Sequence, residues 1–337
     1  MLHVLALFAA LGLILPAGAG EAPAGGFVMQ NRAPFAAIIG IPGRWPDTGK
    51  SIAELSWNAS SHSMSERGDQ FAVFADGETH TLTARLQFAP SQRLRVGLQL
   101  PWMRHTGGFM DNAIDAWHDL FGLKEGIRPG IRSNQLNYVL QRRGADVFRL
   151  DRATSGLGDA HLGLTGELGS FERYATPDTI SGYLLRSPWR VSLNVKLPTG
   201  DIDRLTGSGD TDFAGGVGWR SPDDPGTPLR WWLDVGVVLP GGIDIDGLDT
   251  ESRVYYYDAA LAWRLLRRLD AVVQFAGHSA LYSGDAASLG ESALQVAIGG
   301  LWHLSPRFGL RIGFVEDLRA ESAPDFGVEI SLLVRRR

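Results

Sequence analysis

The feature that most constrains the fold of this chain is a recurring run of about ten residues in which every second side chain is apolar. Between Trp189 and Leu197, for example, apolar residues alternate with polar ones. A period of two places alternate side chains on opposite faces of a β-strand. The runs can be assigned to residues 51–60, 79–88, 93–103, 158–168, 189–198, 211–220, 230–239, 254–265, 269–278, 292–303, 308–317 and 326–334. They predict an all-β fold, a transmembrane antiparallel up-and-down β-barrel of about 12 strands.

The connections between these runs support the barrel, because they alternate in length as they do in outer-membrane barrels. The short ones, suited to turns, are 90–92, 266–268 and 305–307. The longer ones, rich in Gly and Asp, are 104–157, 199–210, 240–253, 279–291 and 318–325, while 169–188 and 221–229 are long for the turn side. Short turns on the periplasmic side and long external loops are the expected arrangement.

Aromatic residues give a second, independent indication. Seven of them share the apolar face at strand ends beside the short links, and they are Phe88, Trp189, Trp219, Trp231, Trp263, Trp302 and Phe308. Aromatic rings favour the boundary between lipid and water, so this line of residues is typical of an interfacial belt. A soluble β-sandwich is the alternative, but nothing in such a fold would favour aromatic residues at one common level.

The N-terminus has the composition of a secretory signal peptide. Residues 2–15 are apolar apart from His3, Pro16 interrupts them, and residues 17–19 have the small-x-small form of a cleavage site. We therefore predict a signal peptide at 1–19, an N-terminal periplasmic or lumen segment at 20–50, and an outer-membrane β-barrel at 51–337. The middle segment is expected either to enter the lumen from the periplasm or to add an edge strand.

Composition excludes several classes of function. The 337 residues include no cysteine, which excludes disulfides and thiolate metal sites, and the formal net charge is −5. Without a basic surface, nucleic acid is not an expected partner. No cofactor is predicted. The expected partners are outer-membrane lipid, lipopolysaccharide and the barrel-assembly machinery, and the oligomeric state is left open.

The face of each predicted strand that carries the polar residues is expected to line the lumen. Its charged members are predicted to be Glu54, Arg85, Arg95, Glu167, Arg190, Lys196, Asp234, Arg311 and Glu329. Both signs of charge occur, and charges inside a barrel can pair across the lumen, which lowers the cost of partial burial. Because twelve strands enclose less space than an open porin does, we expect a narrow or plugged pore.

Several short motifs carry a resemblance to a known family. They are Asn31–Phe35 (NRAPF), Pro101–Phe109 (PWMRHTGGF) followed by Ile114–Gly122 (IDAWHDLFG), Asp151–Asp159, Lys196–Asp201, Leu205–Gly209, His278–Tyr282 and Glu316–Arg319 with Ala323–Asp325. In these the chain resembles the Gram-negative envelope proteins known as the domain of unknown function 3187 family, from about residue 30 onward. The resemblance implies an outer-membrane barrel and supplies no assigned activity. One departure is the C-terminal Arg335-Arg336-Arg337, where barrels commonly end on an aromatic residue.

The largest external loop contains a segment with helical spacing. Within residues 111–121, Ile114, Trp117, His118 and Phe121 follow an i, i+3, i+4, i+7 pattern. We interpret this amphipathic stretch as a gating helix that either folds into the mouth as a constriction or lies on the outer leaflet.

Other polar residues suggest chemistry only weakly. Histidines expected in external loops or at upper strand ends are His62, His80, His105, His118, His161 and His278. Serines lie beside two of them, and a lipid hydrolase needs a Ser nucleophile with a His base. Adjacent residues on one strand point to opposite faces, so His278 and Ser279 are not expected to pair, which leaves partners from different strands; no catalytic residue is assigned. The acidic residues 244–251 could attract Ca²⁺ or Mg²⁺, but their spacing does not match the helix–loop–helix calcium pattern, and no metal site is predicted.

Three functions follow from these observations. The favoured one is a narrow channel or transporter for small or amphipathic solutes. The alternatives are an outer-membrane lipid hydrolase and a structural or assembly barrel closed by internal charge pairs.

Overall fold

A computed structural model of the chain describes residues 26–45, 51–110, 135–171, 179–222, 227–318 and 323–335. Twelve antiparallel strands form a barrel, and the first strand pairs with the last along Ile52–Ser61 and Phe326–Arg335, which closes it. The predicted fold class is therefore confirmed. Residues 1–19, the predicted signal peptide, lie outside the described part of the chain.

The barrel strands follow the predicted runs closely. They are β1 (Ile52–Arg67), β2 (Phe71–Phe88), β3 (Leu94–Thr106), β7 (Ala160–Gly169), β8 (Trp189–Leu197), β9 (Asp212–Arg220), β10 (Leu229–Leu239), β11 (Val254–Leu266), β12 (Leu269–His278), β13 (Ala293–His303), β14 (Phe308–Asp317) and β15 (Phe326–Arg335). Three shorter strands belong to the same sheet. They are β4 (Asn137–Arg142), β5 (Ala145–Leu150) and β6 (Thr154–Leu157), the last of which pairs with residues 102–105 of β3. The helices are α1 (Ile180–Arg186) and α2 (Ala287–Gly290), with a 3₁₀ turn at Ile202–Arg204.

Side-chain exposure follows the alternation of the sequence. In β8, Leu193 is 61% exposed, whereas its neighbours Asn194 and Lys196 are buried. Most outward side chains of the wall are apolar and solvent-accessible, and most inward ones are polar and buried. This is the reverse of a soluble barrel, and it fits a wall that meets lipid outside and polar groups inside.

One end of the barrel, here called the turn end, carries the short links and the residues Ile52 and Arg335. The opposite loop end carries the long connections. There β1 and β2 continue past the predicted strands as a long hairpin, with β4 paired to residues 71–76 of β2. The sequence did not reveal this extension, because inward residues such as Val73 and Ala75 are apolar there.

The β4–β5 hairpin turns at Arg143-Gly144. Both residues have positive φ, 51° and 81° respectively, which is the conformation of a two-residue hairpin turn. Its strands join the long β1–β2 hairpin and thereby build a wall above the barrel proper.

An apolar cluster closes the loop end from inside. Its buried members come from segment 26–45, the long hairpin, β4 and three loops; they include Phe35, Ile38, Ile39, Met64, Val73, Tyr138, Leu140, Ile245, Leu248, Leu281 and Leu289. Such a cluster excludes water from the mouth of the barrel.

Aromatic side chains at the turn end form a partly continuous band. The rings of Trp189 and Trp219 stack at 5.2 Å, and Trp219 meets Trp231 edge-on at 4.8 Å. Trp263 is 56% exposed, but Trp302 is only 8% exposed. Its ring covers Gly300, where a Cβ would lie 3.3 Å from it, so this tryptophan lies flat against the wall.

In the described part of the chain, every helix is too short or too polar to span a bilayer.

Candidate functional site

Residues 26–45, here called the lumen segment, run inside the barrel. Near its beginning, the Phe27 backbone N–H donates to the side chain of Gln274, halfway along β12, at 2.7 Å. Further on, Asn31 meets His278, the last residue of the same strand, at 2.9 Å. This limb therefore climbs along the wall towards the loop end.

The segment then turns and descends. Its helical turns at residues 33–39 sit in the apolar cluster of the loop end. On the way down, the Gly40 N–H donates to Asp212 at the start of β9 at 2.7 Å, and Arg44 reaches Asp234 in the middle of β10 at 3.0 Å. The lumen segment thus fills the barrel as an ascending limb, a turn and a descending limb.

Phe27 anchors the ascending limb on a pair of glycines. Gly299 of β13 and Gly313 of β14 are directly opposite in the ladder and both face inward. A Cβ on Gly299 would lie 2.6 Å from the Phe27 ring, and one on Gly313 would also collide with it. Only glycine at these positions lets the fully buried ring lie against the wall.

Trp45 anchors the descending limb in the same manner. Gly97 of β3 and Gly163 of β7 are opposite in the ladder, and a Cβ on either would lie 2.6 Å from the indole. The indole N–H donates to Asn194 at 3.3 Å, and the guanidinium of Arg85 lies 4.4 Å from the ring centroid. Aromatic rings over cross-strand glycines stabilise sheets, so these two contacts are specific docking points.

A buried network joins four charged residues near the turn end. Arg311 pairs with Glu329 at 2.9 Å and with Glu54, and Arg85 also reaches Glu54 at 3.4 Å. The lumen segment takes part, because the Val28 N–H donates to Glu329 at 3.0 Å. Charges this deeply buried are tolerated when each has an opposite partner.

Lys196 holds the descending limb near the loop end. Its ammonium lies 3.3 Å from Asp159 and 3.0 Å from Asp212, and it donates to the Ile38 carbonyl at 2.9 Å. Since Asp212 also accepts from Gly40, one carboxylate connects the wall, the lysine and the lumen segment.

Two further clusters each contain one carboxylate between two arginines. Asp234 accepts from Arg190 of β8 at 2.5 Å and from Arg44 of the lumen segment at 3.0 Å. In the second cluster, Glu167 of β7 lies 2.7 Å from a neighbouring arginine of β3 and 3.2 Å from one of β9; these are Arg95 and Arg220. Each of these two carboxylates is therefore bridged by two guanidinium groups.

All nine predicted lumen residues thus lie on the inward face, and the structure brings them together in four clusters. They are Glu54, Arg85, Arg311 and Glu329; Lys196; Arg190 and Asp234; and Arg95 with Glu167. Sequence reasoning missed their partners in the lumen segment and the two aromatic anchors. Inward glycines placed opposite one another in predicted strands were the available signal.

Two of the histidines that could have acted as a catalytic base, His278 and His105, connect separate parts of the chain. His278 engages Asn31 through one ring nitrogen and the carbonyl, rather than the hydroxyl, of Ser279 through the other at 2.7 Å. His105 similarly contacts the Leu205 carbonyl at 2.9 Å. These contacts connect strands to loops and to the lumen segment, and they give the hydrolase hypothesis no support.

The predicted gating helix lies outside the described residues. Its residues are Ile114, Trp117, His118 and Phe121. Just before it, the N–H groups of Phe109 and Met110 donate to Glu78 on the outward face of β2, at 2.7 and 2.5 Å. Met110 also packs against Ala59 and Phe326, so this end of the loop runs over the outer wall.

The acidic loop at 244–251 is held by its apolar residues. Ile245 and Leu248 are buried in the loop-end cluster, while Asp244, Asp246 and Asp249 are exposed. Among the described residues, no group of three or more His, Asp or Glu side chains is placed to hold a metal ion.

A cavity remains between the descending limb and the wall. Its volume is about 40 Å³. Its polar lining includes Arg44, Arg190, Asn194, Asp234, Tyr256 and Asp258.

Comparison with models of protein families shows to which family the chain is related. The family model described as Protein of unknown function (DUF3187) matches residues 6–335. The chain belongs to this family. The resemblance noted in the sequence motifs is thereby confirmed. No curated protein sequence matches the chain.

Solved structures with a similar fold are outer-membrane proteins. The COG4313 outer membrane channel from Pseudomonas putida F1 superposes with a TM-score of 0.55 at 12% identity, covering 87% of this chain and 97% of that one. The KdgM porin gives 0.40 at 5% identity over 84% and 99% of the two chains, and the CymD monoaromatic hydrocarbon channel 0.39 at 11% over 86% and 89%. At such identities the first likeness establishes a shared outer-membrane barrel fold and no more.

Proposed function

We propose that the protein is a narrow outer-membrane channel for small or amphipathic solutes, and that the lumen segment is its obstruction. The observation that carries the proposal is the way this segment is held. None of residues 26–45 is part of a strand, and the wall closes through β1 and β15 without it. The segment can therefore leave its place without breaking any ladder between the barrel strands.

The contacts that hold the segment are of a kind that can be exchanged. They are side-chain hydrogen bonds, ion pairs, two aromatic anchors and the apolar packing of residues 33–41 in the loop-end cluster, whereas the backbone bonds of its turn, such as Ala36 N–H to the Ala33 carbonyl, are internal. Polar groups of the wall that lose the segment would be solvated by water entering the lumen. This favours a movable obstruction rather than a permanently packed core.

The lining suits amphipathic solutes. A solute that passes from the loop end first meets the apolar cluster around Phe35 and Leu281 and then the charged clusters below it. Export through residues 1–19, and contact with lipopolysaccharide and the barrel-assembly machinery, belong to the same proposal.

Planar-bilayer conductance tests the function. The natural chain is compared with a variant that lacks residues 26–45 but keeps residues 1–25. Folding of both is checked by the heat-dependent mobility of the barrel on gels. We expect rare, small current steps for the natural chain and frequent, larger ones for the variant. If both folded proteins remain silent, the channel is refuted and the structural barrel becomes the better reading.

A further inference from the structure

The two ends of the barrel differ in the charge of their connections. Four arginines and no acidic residue occur in the three short links of the turn end, which are 89–93, 267–268 and 304–307. Nine carboxylates and two arginines occur in three connections of the loop end, which are 198–211, 240–253 and 279–292. This separation of charge favours an anionic partner at the turn end.

We propose that the turn end binds the headgroups of anionic phospholipids in the membrane leaflet around it. The exposed side chains of Arg93, Arg267 and Arg307 would bind the phosphates. The surface lies on the outside of the barrel, and the inference does not depend on whether the barrel conducts. It is carried by the level of these arginines on the wall, by their exposure and by the charges around them.

The three arginines lie at the headgroup level of a surrounding membrane. Each is within four residues of an outward-facing apolar side chain at the turn end of a strand; these side chains are Leu94, Trp263 and Phe308. They are 39%, 56% and 43% exposed, respectively. Aromatic rings favour the boundary between lipid and water, so long basic side chains in the adjoining links can reach the phosphates.

The same turn positions two of the arginines. In the β2–β3 link, the Ser91 hydroxyl accepts from the backbone N–H of Arg93 at 3.2 Å and from that of the following residue at 3.1 Å. In the β13–β14 link, the Ser305 hydroxyl accepts from Arg307 at 3.2 Å and from the following residue at 3.1 Å. Both links therefore hold the backbone of an arginine immediately before a lipid-facing strand.

The guanidinium groups of these arginines are available to an external anion. All three residues are exposed, and within the described part of the chain none of their side chains forms a hydrogen bond or an ion pair. The acidic residues described near the turn end, Glu167 and Asp270, are held by basic residues inside the barrel; these are Arg95, Arg220, Arg230, Arg264 and His303. No described carboxylate therefore neutralises the exposed arginines.

An anionic phospholipid suits this surface better than a zwitterionic one. Guanidinium groups bind phosphate oxygens through two parallel donors. In phosphatidylcholine the phosphate is already accompanied by a cationic choline, whereas in phosphatidylglycerol its charge is not neutralised. A basic residue near an anionic membrane surface strengthens binding about fivefold, and salt weakens the effect.

The test measures which lipid gathers around the turn end. The purified full chain is reconstituted in phosphatidylcholine vesicles that contain a small fraction of phosphatidylglycerol, and the acyl chains of one lipid or the other are brominated. Bromine quenches tryptophan fluorescence on contact, and the exposed Trp263 lies beside the arginines. We expect phosphatidylglycerol to be enriched about fivefold at low salt and less at high salt. Equal quenching by the two lipids would overturn the inference.

Two triple variants locate the surface. Changing Arg93, Arg267 and Arg307 to glutamine should abolish the enrichment, because it removes the exposed guanidinium groups of the short links. The matched control changes three exposed arginines of the loop end to glutamine; these are Arg67, Arg143 and Arg152. It removes the same net charge and should keep the enrichment. Heat-dependent mobility on gels checks that both variants fold. Enrichment that survives in the first variant, or that falls equally in both, would refute the assignment to the turn end.

A further comparison separates lipid headgroups from free phosphate. Inorganic phosphate is added to the natural chain in the same vesicles, and chloride at equal ionic strength is the reference. We expect the two salts to lower the enrichment equally, because a headgroup held in the leaflet is present at a high effective concentration. Stronger displacement by phosphate than by chloride would indicate a site for soluble anions and would contradict a lipid surface.

Discussion

Replacing Gly97 by alanine tests whether Trp45 holds the obstruction in place. The new Cβ would lie 2.6–2.7 Å from three atoms of the indole. Carbon atoms in contact are about 3.5–4.0 Å apart, so the ring must withdraw by about 1 Å. The wall cannot yield instead, because β3 is paired with β2 on one side and β7 on the other. The withdrawn indole also leaves Gly163.

The size of the effect follows from the burial of the ring. Trp45 is 9% exposed, and a buried indole of roughly 200 Å² contributes about 5 kcal/mol at 25 cal/mol per Å², as an upper estimate. A gap of about 1 Å forfeits a quarter to a half of the contact energy. Gly97→Ala is therefore expected to weaken docking by about 1–2.5 kcal/mol, which shifts the equilibrium between docked and released segment by about 5- to 60-fold.

Single-channel recording at fixed voltage measures this shift as open probability. Gly97→Ala should raise it by the factor just given, and Trp45→Ala should raise it further. In the double variant that combines Gly97→Ala with Trp45→Ala, the new Cβ at position 97 meets no indole. Its open probability should therefore equal that of Trp45→Ala alone. The control is Gly166→Ala on the outward face of β7, where the nearest atom, in Val191, would be 3.6 Å from the new Cβ. Additive effects, or a control that opens the pore equally, would contradict the reasoning.

Three further predictions concern the lumen and the loop end. Because the chain has no cysteine, Gly40→Cys with Asp212→Cys introduces one disulfide; the Cβ atoms would be 2.9 Å apart, closer than the roughly 3.5–4.5 Å of a disulfide, so the lumen segment must shift slightly as the bond forms. Oxidation should hold the pore shut and reduction should release it, and an oxidised protein that conducts would speak against the docked position. Glu54→Gln leaves buried arginines short of one carboxylate and should lower the free energy of unfolding by about 3–5 kcal/mol, measured as a lower urea midpoint in micelles; an unchanged midpoint would disprove the network's importance. The backbone N–H of Gln70 and its neighbour hold the pKa of Asp285 below its ordinary value of 3.8, so this link between loop and hairpin is complete above about pH 4 and is lost as the pH falls through the lowered pKa; pepsin cleavage of residues 279–291 should rise below pH 4, and cleavage independent of pH would refute the link.

The wall of the barrel could be predicted from sequence because its signal is local. Each strand is recognisable from the alternation of apolar and polar side chains over about ten residues. The assignment 189–198, for example, differs from the observed Trp189–Leu197 by one residue. The same rule placed all nine charged lumen residues on the inward face. It could not tell which of them pair, since Arg95 and Glu167 meet only through the register of β3 with β7.

The alternation rule failed where a strand no longer has one apolar and one polar face. Beyond the predicted runs both faces of the β1–β2 hairpin are partly apolar, so β1 and β2 extend between residues 61 and 78 without the expected pattern. The lumen segment is a harder case. It has no periodicity, and its contacts join residues far apart in sequence, such as Val28 and Glu329, which are 301 residues apart.

Pairs of inward glycines in the wall nevertheless indicate where other groups fill the lumen. Two glycines opposite each other on the inward face leave a recess, and recesses in a close-packed interior are costly unless another group occupies them. Two such recesses receive rings from the lumen segment, Phe27 and Trp45. The third, at Gly216–Gly236, is covered by Tyr256 from the wall itself, and the lumen segment does not occupy it. The remaining cavity lies beside this third recess, so the inward glycine pairs indicate both where the lumen segment docks and where it does not fill the barrel.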